Sequence, residues 1–183
     1  MNRLTGLLAA IDAANAADPH GQELFYGRRM SEMLQMFAPS VDDCLKIAVR
    51  GQHIERWLLP RHQYPEGRTG YLRWRIEQKN RHAHRLAELM QNHNYTRTEI
   101  DRVGALVRKE RFKTDADAQC LEDIACLVFL KYYAADFIAK HEPDKVTDII
   151  RKTWAKMSEK GHAAAQQLDL SAALSAAIGR ALS

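Results

Sequence analysis

Apolar residues recur every three or four positions along nearly the whole chain, and nowhere do they alternate over the length of a strand. That spacing confines the chain to α-helices that each bury one stripe. Proline and glycine punctuate the pattern and set the expected boundaries. A first helix is expected over Asn2–Ala17, stopped by Asp18, Pro19 and Gly21, and a second over Glu23–Phe37, ended by Pro39. Ser40 is placed to cap a third helix, from Val41 to about Trp57. Pro60, Pro65, Gly67 and Gly70 mark a loop, and a basic fourth helix follows over Tyr71–Gln91. Thr96 and Glu99 have the spacing of a capping box and open a fifth helix to about Arg111. The charged connector Lys113–Asp117 leads to a sixth helix over Ala118–Lys140. Pro143 suits the first turn of a seventh, ending near Ser158, and two Ala-rich helices follow. The expected fold is therefore all-α. It is a single domain over residues 1–183, a bundle of about seven to nine helices, with residues 159–183 as a C-terminal helical extension packed on it.

Hydrophobic residues make up 46% of the chain and charged residues 27%, which suits a packed core. Charges interrupt every apolar run before it reaches the length of a membrane span. The segment Met1–Ala17 is amphipathic, contains Asp12 and lacks the apolar core of a secretion signal, so a cytoplasmic location is expected. The three cysteines, Cys44, Cys120 and Cys126, have no CxxC spacing and read as small core residues. The formal charge is +4. The excess is concentrated between Arg61 and Arg85, where seven cationic residues face only Glu66 and Glu77. Such a stretch suits a phosphate-bearing partner, nucleotide or nucleic acid, and is equally the pattern of a solvated helix face. Whether the chain self-associates is left open.

Four polar residues fall on or beside apolar stripes. His53 continues the stripe of Val41, Leu45 and Val49; His82 sits one turn before Leu86, on a helix whose inward face reads as Leu72, Ile76, Ala83, Leu86 and Met90. Glu110 follows Ile100, Val103 and Val107; Asp123 shares a stripe with Cys120 and Leu127 on the most apolar helix. A buried carboxylate costs several kcal/mol unless it is paired, hydrogen-bonded or metal-bound. Helical bundles build metal sites from side chains projected inward by facing helices. A mixed His and carboxylate set suits a divalent Mn, Fe, Ni, Co or Zn ion. The competing reading is structural: a hydrogen-bonded core histidine, a Glu110 that reaches solvent, and an Asp123 that meets an arginine such as Arg50. Arg50, Lys109 and Lys113 lie near these positions in sequence, and a metal flanked by such cations is what phosphoryl hydrolysis needs. Arg75 lies in the basic stretch, and Arg68 in a Glu66–Tyr71 segment whose backbone N–H groups could meet a phosphate at a helix start.

The blocks LFYGRRMSEML (Leu24–Leu34), QHIERWLLP (Gln52–Pro60), GYLRWR (Gly70–Arg75), LVRKERF (Leu106–Phe112), AQCLEDIACLVFLKY (Ala118–Tyr132) and IIRKTWAKM (Ile149–Met157) resemble the domain-of-unknown-function 4202 family. Its pattern is in turn similar to the HD-domain superfamily of helical metal-dependent phosphohydrolases. That resemblance implies an HD-like bundle in which His53, His82 and Asp123 hold the metal. On a phosphohydrolase reading, Glu110 is expected as ligand or general base, with Lys109 beside it, and Arg50, Arg68, Arg75 and Lys113 are expected on the phosphate. Ala83 stands where the HD pattern has the aspartate of its His-Asp pair. Either Glu110 substitutes, the metal is held differently, or metal binding is lost. Two functions are thus expected: a metal-dependent phosphohydrolase acting on a nucleotide or other phosphorylated small molecule, or a non-catalytic nucleotide-, RNA- or protein-binding helical module with a degenerate HD site.

Overall fold

The helical spacing is realised throughout. A computed structural model describes residues 2–112 and 114–182, and these hold ten α-helices and no strand. The chain divides into two compact units, Met1–Ala118 and Gln119–Ser183.

The first unit contains α1 (Arg3–Ala16), α2 (Gln22–Phe37), α3 (Asp43–Gly51), α4 (Gly67–Asn92) and α5 (Arg97–Arg108). Local chemistry sets their starts. Asn2 caps α1 through a 2.8 Å bond from the Thr5 N–H. The Asp18 carboxylate accepts from the N–H groups of Gln22 and Glu23 at the start of α2. Asp42, rather than Ser40, caps α3. Thr96 and Glu99 form the expected capping box on α5. Helix α3 packs against α1, α2 and α5, and α4 packs against α5 and α1. Leu7, Ile11, Met30, Leu45, Ile47, Leu86, Met90 and Leu106 are fully or almost fully buried there. Each such side chain contributes about 1.5–3 kcal/mol of hydrophobic stabilisation.

Two boundaries differ from the spacing and matter for the site. Helix α3 stops at Gly51, not near Trp57, and residues 52–59 form turns and a short 3₁₀ segment, Arg56–Leu58. Helix α4 starts at Gly67, four residues earlier than expected, and its register is not the aliphatic one. Leu72 and Ile76 are exposed, while Gly70, Trp74, Gln78, His82 and Leu86 form the buried stripe. These last five are spaced by four residues, one ridge of the helix.

In the second unit, α6 (Ala116–Tyr132, its first turn still in the first unit) ends at Tyr133, where φ is −126°. What the spacing presents as one sixth helix is therefore α6 and α7 (Ala134–Lys140), which turns nine expected segments into ten. Pro143 opens α8 (Pro143–Trp154), and α9 (Glu159–Gln166) and α10 (Ala172–Leu182) follow. Among the described residues no helix is long and apolar enough to cross a membrane.

Gly70 tests the α4 register. A Cβ placed there would overlap the Pro65 carbonyl oxygen, which also accepts from Arg61 Nη2 at 2.9 Å. Gly70→Ala should therefore cost on the order of 2 kcal/mol, roughly 4–8 °C in Tm, despite alanine's better helix propensity. A thermal melt showing unchanged or raised stability would place the stripe elsewhere.

Candidate functional site

Segment 52–59 lacks an α-helix, and local turns satisfy only some of its carbonyls; the buried stripe of α4 reaches those of Ile54, Arg56 and Leu59. His82 Nδ1 lies 2.7 Å from the Ile54 carbonyl oxygen. Gln78 Nε2 donates to the carbonyls of Arg56 and Leu59, each at 2.9 Å, and Trp74 Nε1 donates to Leu59 at 2.8 Å. From the other side, Asn15 of α1 accepts the Glu55 N–H at 2.9 Å, holding Glu55 at φ 52°. A residue in the left-handed region persists only where its surroundings fix it. The turn is thus pinned from two helices, and it carries His53 and Arg56.

The consequence is a small cleft, with about 40 Å³ of enclosed space, lined by Gln52, His53, Arg56, Arg75, Gln78, Lys79, His82, Val107 and Lys109. The rings of His53 and His82 lie 6.0 Å apart, and Tyr26 stacks on His53 at 4.2 Å. A carbonyl only accepts, so His82 Nδ1 carries the proton and its Nε2 is a bare lone pair. Burial drives the His82 pKa down to about 4, although the Ile54 bond favours the charged ring, and Arg56 and Arg81 add to the depression. His53 is held well below its ordinary value by burial and then by Arg56, His82, Lys109 and Arg75. Its Nε2 lies 3.3 Å from Arg56 Nη1 and must be the acceptor. Both imidazoles are therefore neutral at pH 7, and the lining's charge is carried by Arg56, Arg75, Lys79 and Lys109 with no carboxylate among them.

The arginines differ in their partners. Arg50 is bound by both Asp12 oxygens, at 2.7 and 2.6 Å; Arg85 pairs with Glu55 and Glu88; Arg102 pairs with Asp115 and Asp117. Among the described residues neither Arg56 nor Arg75 has a carboxylate partner in ion-pair range. Arg56 lies over the Trp74 ring at 4.8 Å, and Arg75 bonds the Tyr71 hydroxyl at 3.3 Å. Two larger grooves, about 420 Å³ each, flank α4, but their charges are neutralised locally by pairs such as Arg97–Asp101, Arg108–Glu110 and Arg85–Glu88.

Of the residues singled out from sequence, His53, His82, Arg75 and Lys109 share this cleft. His53 arrives on a turn, not on the α3 stripe. Glu110 leaves the α5 stripe because the helix ends at Arg108 and Lys109 turns left-handed at φ 61°; it is exposed and pairs with Arg108 at 2.6 Å. Arg50 is committed to Asp12, and Arg68 is exposed at the start of α4. Lys113 lies outside the described residues. Asp123 is 2% exposed, as its apolar setting suggests, but its carboxylate accepts from the Ser158 N–H (2.8 Å), Ser158 Oγ (2.6 Å) and Gln119 Nε2 (3.0 Å). It buttresses Ser158, the N-cap of α9, and meets no arginine there. Sequence reasoning missed Glu23, Tyr26, Arg56 and Gln78. The signal available for Gln78 was its i−4 spacing to His82.

A divalent metal is the group the HD likeness implies. The donors gathered in the cleft are two imidazoles, one of them engaged by Arg56, with no carboxylate on the lining. Among the described residues no group of three or more His, Cys, Asp or Glu side chains is disposed to hold a metal ion. The side chains present do not fit that group.

A family model described as "Domain of unknown function (DUF4202)" matches residues 5–178. Comparison with curated proteins and with solved structures finds no match.

Glu23 lies beside the cleft, with Oε2 3.9 Å from His53 Nδ1 and 14% of its side chain exposed. Burial pushes its carboxyl up to about 7, against the pull of Arg56, and Asp18 adds to the rise. Between its ordinary value of 4.5 and 7 the folded state keeps a proton that the unfolded chain gives up. Stability from this group is therefore lost as pH rises through that window. Glu23→Gln should melt progressively above wild type from pH 4.5 to 7, by on the order of 5 °C at the plateau. A difference independent of pH would show Glu23 to be solvated.

Proposed function

We propose that this chain, which belongs to the DUF4202 family, binds the phosphoryl group of a nucleotide or other phosphorylated small molecule in the His53–His82 cleft. One observation carries this reading. Four cationic side chains line a cleft whose histidines are neutral and whose lining includes no carboxylate, and among the described residues two of the four, Arg56 and Arg75, have no carboxylate within ion-pair distance. A partly buried guanidinium without a counter-charge is costly, and an oxyanion accepting from two of them repays that cost. The resemblance to HD-domain phosphohydrolases supports the same ligand class. On this reading the HD site is degenerate, with Ala83 in place of the aspartate.

Nucleic acid is the weaker alternative for the basic stretch. Arg61 is spent on the carbonyls of Tyr64 and Pro65, Arg75 turns into the cleft, and Arg85 is paired, so the charges do not form one outward face.

Glu23 favours hydrolysis as a second reading. A carboxyl near pKa 7 beside His53 suits proton transfer at neutral pH. It would take a proton from water as the water oxygen bonds to phosphorus, and the departing ester oxygen would be protonated from solvent.

Calorimetric titration with inorganic phosphate tests the binding claim. Arg56→Gln and Arg75→Gln should each weaken affinity by about tenfold or more, and exposed Arg68→Gln should leave it unchanged. Undetectable binding at about 10 mM phosphate, or variants indistinguishable from wild type, contradicts it. Assaying the same preparations for phosphate release from esters separates binding from hydrolysis.

A further inference from the structure

Two side-chain atoms of the residues on this lining are buried and have no hydrogen-bond partner among the described residues: His82 Nε2 and Gln78 Oε1. Both residues are 3% exposed. They sit one turn apart on α4, on the same ridge. Each is held by its donor end, His82 Nδ1 on the Ile54 carbonyl and Gln78 Nε2 on the carbonyls of Arg56 and Leu59. The donor ends fix the chemistry of the other ends. With Nδ1 protonated, Nε2 is an acceptor; with the amide nitrogen on two carbonyls, Oε1 is an acceptor as well. The stripe therefore presents two buried acceptors to a cleft whose charged residues are all donors. An unmade bond at a buried acceptor costs about 1–3 kcal/mol. A bare oxyanion satisfies the arginines but offers these two atoms nothing.

We infer that the cleft is built for a phosphate monoester carrying a hydroxyl close to the phosphate, as on a polyol or sugar phosphate. Its phosphoryl oxygens accept from Arg56 and Arg75, and the hydroxyl nearest the phosphate donates to His82 Nε2, with Gln78 Oε1 one turn away for a second hydroxyl. This rests on the phosphoryl-binding reading and adds a requirement to it. The size agrees: about 40 Å³ holds roughly three waters, which suits the polar end of a small ester, its remainder lying in the open mouth, and is too little for a nucleobase. A site that hydrogen-bonds a substrate hydroxyl discriminates strongly against the analogue lacking it, because its own polar groups are then left unpaired.

Glycerol phosphate and propyl phosphate test this directly, since they share a carbon skeleton and differ only in hydroxyl groups. At about pH 8 both are dianionic, so neither phosphate carries its own O–H donor. By calorimetry the wild-type protein should bind glycerol phosphate at least about tenfold more tightly than propyl phosphate. In His82→Asn the side-chain amide keeps a donor for the Ile54 carbonyl but removes the Nε2 acceptor. The preference should there fall to about twofold. Equal wild-type affinities overturn the hydroxyl requirement and leave phosphoryl binding standing. Binding of neither ester, nor of inorganic phosphate, overturns both. A preference that survives His82→Asn overturns the assignment to His82. The wild-type comparison decides the requirement whether or not the variant folds.

Discussion

The hydrogen bonds from α4 to the carbonyls of Ile54, Arg56 and Leu59 are the constraint on which the rest of the first unit's site depends. A chain that leaves its helix at Gly51 and does not re-enter one for more than a dozen residues must satisfy its carbonyls elsewhere. Three polar side chains on one ridge, Trp74, Gln78 and His82, do this. Each neutral bond contributes about 1 kcal/mol net, but an orphaned partner costs about 1–3 kcal/mol. The ridge and the turn therefore stand or fall together. Asn15 completes the arrangement by holding Glu55 in a backbone conformation it would not adopt alone.

The same bonds determine the electrostatics. Tying His82 Nδ1 to a carbonyl and burying the ring keeps it neutral, and this leaves its other nitrogen as a buried lone pair on a residue of the cleft lining. The turn carries Arg56 to a place where its direct contacts are an imidazole and an indole, with the Glu23 carboxyl near enough to feel its charge but outside ion-pair distance. Elsewhere in this unit arginine charge is spent inside the fold, on Asp12, on Glu55 and on Asp115. At the cleft it is kept available. Structural pairing and ligand-directed charge are thus distinguished by partners, and net charge alone does not reveal the difference.

The helical fold was legible because period and punctuation agree: Pro143, the Thr96–Glu99 box and the Ile100, Val103 and Val107 stripe all sit where spacing puts them. The α4 register was not. Its aliphatic residues, Leu72 and Ile76, point outward, and a ridge of Gly, Trp, Gln and His points in, because what it packs on is a polar turn. Hydrophobic periodicity reads apolar contacts and is blind to a ridge selected for hydrogen bonding. His82 was recognised for the wrong reason, as a breach of an apolar stripe, and Gln78 was passed over. Glu110 failed at a helix end, where one left-handed residue redirects everything after it. Asp123 was correctly flagged as an anomalous buried carboxylate, yet burial does not say which partner satisfies it. Here that partner is the Ser158 cap.

A neutral, Nδ1-protonated His82 with a buried Nε2, unpartnered among the described residues, is the centre of the cleft. Long-range ¹H–¹⁵N correlation spectra of the imidazoles report protonation and tautomer for each ring separately. His82 should stay neutral with its proton on Nδ1 down to about pH 5, consistent with a pKa of about 4. Its Nε2 resonance should move when glycerol phosphate is added. A His82 that takes up a second proton near the ordinary imidazole value of 6.5, or whose proton sits on Nε2, would contradict the hydrogen-bonded turn and the cleft built on it.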